Sequence, residues 1–140
     1  PYTMPISDSV GLRTAVDNVL ADTEIYARHA KIAAATREAL TKAGLHLYLQ
    51  SGYSNTVTVI EVPEGLTDQA ILSTMRDKYN VMISGCFDVL AGKVIRIGHM
   101  GENANEADLC MTLAAMDKTL ADLGYPLQCS MKEVFLKSLA

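Results

Sequence analysis

Apolar residues recur at helical spacing from early in the chain. Leu12, Val16, Val19 and Leu20 form a stripe, and Ile25, Ile32, Ala33 and Leu40 continue it through an Ala-rich stretch. The spacing predicts helix from about Ser7 to Ala43, with a bend or a second start at Asp22 or Thr23. Gly44 is placed to end it. The period then changes to two. Leu45, Leu47 and Leu49 alternate with His46, Tyr48 and Gln50, the pattern of a half-buried strand. Ser51 to Asn55 reads as a turn. The β-branched run Thr56 to Val62 reads as a second strand, stopped by Pro63-Glu64-Gly65.

Thr67 is a natural N-cap for the next helix, with Asp68 in its first turn and Ile71, Leu72, Met75 and Tyr79 on one face. Val81 to Ser84 and Lys93 to Gly98 read as short strands around a loop from Gly85 to Gly92. Asn103 or Asn105 can cap a last long helix, where Leu109, Leu113, Met116, Leu120 and Leu123 line one face. Gly124 and Pro126 end that helix, and Cys129 to Leu139 has room for one more short helix.

This order predicts an α+β fold. A small antiparallel or mixed sheet of about three to four strands carries helices on one face, after a long N-terminal helical segment. The division expected along the chain is a loop remnant over 1–7, a domain over 8–126 and a tail over 127–140. The other face of the sheet stays free to meet something else.

Composition narrows the partners. The chain has 140 residues, 49% hydrophobic and 20% charged, enough to bury a core. Its formal charge is −4, with no basic run, no Trp and two Phe, which argues against nucleic acid or an anionic membrane as partner. No apolar run is long enough to span a bilayer, and the opening Pro1-Tyr2-Thr3-Met4-Pro5 is not a signal peptide. A start at Pro1, inside what reads as a loop, suggests cleavage or truncation. Cys86, Cys110 and Cys129 form no CxxC pair and no zinc spacing. The expectation is three reduced thiols in a cytoplasmic protein, without metal.

Lys93 to Gly101 holds the residues with the most chemical content. On a strand, Ile95 and Ile97 share one face, and Val94, Arg96 and Gly98 share the other. An arginine on an otherwise apolar strand is costly without a partner, and its planar fork suits a carboxylate. The pattern leaves open whether that carboxylate belongs to the protein itself or to a ligand. His29 and His46 read as a helix-surface and a strand-face residue, and His99 points away from Arg96. Lys31, Lys42, Lys78, Lys93, Lys118, Lys132 and Lys137 all read as solvated positions, so none is a candidate for Schiff-base chemistry.

The string Arg96-Ile97-Gly98-His99-Met100-Gly101 resembles the class V aminotransferases, among the fold-type I pyridoxal-phosphate enzymes. Met82 to Gly85, the loop to Lys93, Thr3-Met4-Pro5 and Gly11-Leu12-Arg13 are similar to that family too. The resemblance covers Thr3 to about Gly124, and implies the small C-terminal domain of such an enzyme. It implies that Arg96 binds the carboxylate of an amino or 2-oxo acid such as glyoxylate or pyruvate. It implies that Thr3 reaches the cofactor phosphate of a partner subunit, hence a homodimer with shared sites, and that Arg13 supports structure. The family's Schiff-base lysine, pyridine-facing aspartate and stacking aromatic belong to the large domain upstream, so this chain alone is expected to be inactive. Cys86 departs from the second glycine of many relatives. The competing expectation is a free-standing small-ligand-binding or dimerisation module without enzyme activity.

Overall fold

The computed structural model describes residues 3–140; Pro1 and Tyr2, the start of the expected loop remnant, lie outside the described residues. Helix α1 (Ile6–Ala21) and helix α2 (Ile25–Lys42) make up the long helical segment, with a break at Asp22, one of the two positions where a bend or second start was expected. The break is local: the Asp22 carboxylate accepts from the Glu24 N–H and pairs with Arg28 at 2.6 Å. Strand β1 (Val57–Glu61), helix α3 (Asp68–Tyr79), strand β2 (Val94–Gly98), helix α4 (Glu106–Asp122) and helix α5 (Met131–Leu139) follow.

Local chemistry sets most boundaries. Thr67 caps α3 by accepting from Ala70, and Asn105 caps α4 by accepting from Asp108. Gly44 and Gly124 take left-handed backbone at φ +94° and +76°, just past α2 and α4.

The core lies between the sheet and four helices. Ile60, Ile95 and Ile97 point to it from the strands; Leu40 of α2, Met75 of α3, and Leu113, Met116 and Leu120 of α4 meet them. Helix α5 is part of this core, not an appendage, because Met131 and Phe135 are fully buried in it. Burying a phenylalanine of this kind is worth about 2–3 kcal/mol. Helix α1 differs: it buries no residue, and its stripe of Leu12, Val16, Val19 and Leu20 is exposed.

The sheet is smaller than expected. Strands β1 and β2 pair antiparallel, with Val59 opposite Arg96 and Ile60 opposite Ile95. The predicted outer strands contract to single bridges, Leu47 to Ile60 on one side and Ser84 to Arg96 on the other. Pairing starts on the first side, where Tyr48 N–H donates to Val59 and Glu61 N–H donates to His46. It stops because the Gln50 side chain bonds back to Leu47 and the Tyr53 hydroxyl bonds to Gln50, turning the chain away. On the second side, Val81 N–H is held by Met75 at the end of α3, which leaves little length to pair.

Candidate functional site

Arg96 sits at the middle of β2, on the sheet face opposite Ile95 and Ile97, and is half-buried. Its Nε donates to the Gly85 carbonyl at 2.7 Å. The backbones of Arg96 and Ser84 exchange two hydrogen bonds, at 2.7 and 3.2 Å, which fixes Gly85 beside the guanidinium. The aromatic ring of Phe87 lies 5.7 Å from the guanidinium carbon. Among the described residues, neither terminal nitrogen of the fork has a hydrogen-bond partner, and Arg96 joins no ion pair. The fork is thus oriented through one nitrogen, and the four N–H donors of its two terminal nitrogens have no partner among the described residues. That arrangement suits a carboxylate taken up by two parallel hydrogen bonds.

Just beyond β2, two histidines hold the backbone. His99 is fully buried on the core side. Its Nε2 lies 2.8 Å from the Thr58 hydroxyl and its Nδ1 lies 3.2 Å from the Asn55 carbonyl. A carbonyl only accepts, so Nδ1 carries the proton and Nε2 accepts from Thr58. Burial lowers the pKa of the ring, against the pull of the Asn55 carbonyl. His29 is buried rather than on the helix surface as its position suggested. Its Nδ1 donates to Ile25 and its Nε2 accepts from the Gly101 N–H at 2.9 Å. That bond ties α2 to the turn after β2 across 72 residues of chain, a contact no local pattern announces. Gly101 itself has φ +62°, which suits a residue without Cβ.

Thr3 lies exposed before α1 and shares no hydrogen bond with Arg96. A cavity of about 780 Å³ runs between α1 and the Gly101–Asn105 turn, lined by Thr14, Asn18, Arg28 and Asn105 among others, and includes neither residue. Arg13 is exposed and pairs with Asp17 along its own helix at 3.7 Å. All seven lysines are exposed. Lys31 is tied to the Leu139 carbonyl, Lys42 to Glu38 and Lys78 to Asp122. The donor set therefore fits a substrate carboxylate at Arg96, while no lysine is enclosed in a pocket suited to a Schiff base. Sequence reasoning had Arg96 but missed the Gly85 carbonyl and Phe87 that frame it. Both sit in the loop from Gly85 to Gly92, where no periodic pattern says which groups will face Arg96.

No family model matches the chain. Individual relatives do. An uncharacterized aminotransferase of Methanocaldococcus jannaschii is 36% identical over 98% of this chain and 37% of its own length. Serine–glyoxylate aminotransferase of Arabidopsis thaliana is 39% identical over 90% of this chain and 32% of its own length. The crystal structure of pyridoxamine–pyruvate aminotransferase from Mesorhizobium loti matches with a TM-score of 0.92 and 30% identity, covering 99% of this chain and 37% of that one. The chain spans about a third of the length of the relatives it matches. Along nearly its whole length the chain is similar in sequence and in fold to class V aminotransferases, and it corresponds to a C-terminal domain of those longer proteins.

Proposed function

We propose that this domain works in a pyridoxal-phosphate aminotransferase, moving an amino group between an amino acid and a 2-oxo acid such as glyoxylate or pyruvate, and that it supplies the substrate-carboxylate arginine, Arg96. The observation that carries this reading is the Arg96 fork: anchored at Nε by Gly85, with no partner for either terminal nitrogen among the described residues. The relatives' names support the reaction class, and the exposed lysines support a division of labour in which the covalent chemistry is done by residues outside this chain.

Pyridoxal phosphate, when bound, supplies the electron sink for amino-group transfer. The work of this chain is orientation. Two parallel bonds from Arg96 fix the plane and direction of the substrate carboxylate, and so the direction of the bonds at the adjacent carbon. The Gly85 carbonyl stops the guanidinium from rotating, so less freedom is lost when substrate binds. Thr3, with its exposed hydroxyl, is assigned to the cofactor phosphate held by a second subunit. The assembly is then a homodimer, and its assignment to a reducing, cytoplasmic compartment is supported by three cysteines in the free thiol form.

The test is Arg96→Lys in the full-length enzyme. Lysine keeps the charge but loses the planar fork, so kcat/KM for amino-acid substrates should fall by about tenfold to a hundredfold. A value within about twofold of wild type would remove Arg96 from the site.

A further inference from the structure

Two local oddities meet beside Arg96. Phe87 places a whole aromatic ring in solvent, 76% exposed. The next residue, Asp88, has left-handed backbone at φ +50°, unusual for a residue with a side chain. The chain then closes a tight turn, with Leu90 N–H donating to Phe87 and Ala91 N–H donating to Asp88. The effect of that turn is to hold Phe87 outward and next to the guanidinium, at 5.7 Å from its carbon. An alternative packing that buried the ring would gain apolar burial, yet the backbone is shaped to forgo it.

The geometry points to Phe87 as a positioning residue for the substrate carboxylate: its ring is the apolar wall that shields the Arg96–carboxylate pair from water. This rests on the reading of Arg96 as the carboxylate arginine. The face of an aromatic ring attracts a cation within about 6 Å. It also excludes water from one flank of the fork. A charge-assisted pair strengthens as its surroundings dry, and becomes less sensitive to salt. The Gly85 carbonyl sets the rotation of the guanidinium from one side of the loop, and Phe87 flanks it from the other. Together they let the fork accept a small planar anion while keeping competing water off its side. The ligand class is a monocarboxylate carried on a short stem.

The experiment compares Phe87→Ala, Phe87→Gln, Phe87→Tyr and Arg96→Gln in the full-length holoenzyme. The probe is propionate, an unreactive monocarboxylate, titrated by calorimetry at low and at high salt. Phe87→Ala should weaken propionate about fivefold and steepen the loss of affinity with salt. Phe87→Tyr, which keeps the ring, should bind as wild type does. In turnover, Phe87→Ala should raise KM for the amino acid more than it lowers kcat. If Phe87→Ala does not fold, Phe87→Gln gives the same reading, because it keeps bulk without an apolar face. Unchanged affinity and salt slope in the Ala or Gln variant, with propionate binding lost in Arg96→Gln, would overturn the role of Phe87 and leave that of Arg96 standing. Propionate binding that survives Arg96→Gln would overturn both.

Discussion

Asp117→Ala should loosen the last helix from the rest of the fold. The Asp117 side chain, on α4, reaches the start of α5: it accepts from the Ser130 hydroxyl at 2.8 Å, from Met131 N–H at 2.9 Å and from Lys132 N–H at 3.3 Å. Ser130 in turn accepts from Glu133 N–H at 3.3 Å. One carboxylate thus satisfies two of the backbone donors that a helix start leaves open, and sits where the helix dipole favours negative charge. A hydrogen bond to a charged group nets about 1.5–3 kcal/mol, and the freed N–H groups regain water at this half-buried site, so the total loss is about 2 kcal/mol rather than the sum. For a chain of this size that is a fall in Tm of about 6–8 °C. The assay is urea unfolding followed by circular dichroism, with Asp117→Asn as a control that keeps shape and one acceptor. A double-mutant cycle with Ser130→Ala should show coupling of about 1 kcal/mol, because the two groups act as a relay. A loss below about 0.5 kcal/mol for Asp117→Ala would refute the argument, since it is the range of an ordinary surface change.

Two further outcomes follow from buried polar groups. The Thr119 hydroxyl is buried without a hydrogen-bond partner among the described residues, so Thr119→Val, close to it in shape, should leave stability unchanged or raise it by about 1 kcal/mol; a loss above that amount in urea unfolding would mean that the hydroxyl has a partner. His99 has its pKa lowered by burial from an ordinary 6.5, so the unfolded chain takes up this proton first as the pH falls. Its contribution is present above about pH 6.5 and is lost as the pH drops from there through the folded value. The stability gap between wild type and His99→Gln should therefore narrow between pH 7.5 and about 5, and a constant gap across that range would contradict the burial argument.

The sequence by itself determined what depends on neighbours along the chain. The N-cap at Thr67 and the left-handed stops at Gly44 and Gly124 are decided within a few residues, and the structure has them where the pattern put them; of the two caps the pattern offered for α4, the structure uses Asn105. The two-residue period of β2 placed Arg96 on the face away from Ile95 and Ile97 for the same reason. What depends on distant partners was not legible. Leu45 to Gln50 alternates like a full strand, yet only Leu47 bridges β1, because the Gln50 and Tyr53 side chains turn the chain first. The stripe on α1 resembles that on α4, but within the described residues nothing covers it, while the short α5 finds α2 and α4 and enters the core. His29 looked like a surface residue until Gly101 was brought to it. Above all, whether Arg96 pairs within the protein or keeps its fork open is a matter of which groups the fold brings to β2. It brings a carbonyl at Gly85 and a ring at Phe87, and no carboxylate among the described residues. Periodicity reports the face on which a side chain stands; only the packing of remote segments decides what stands opposite it.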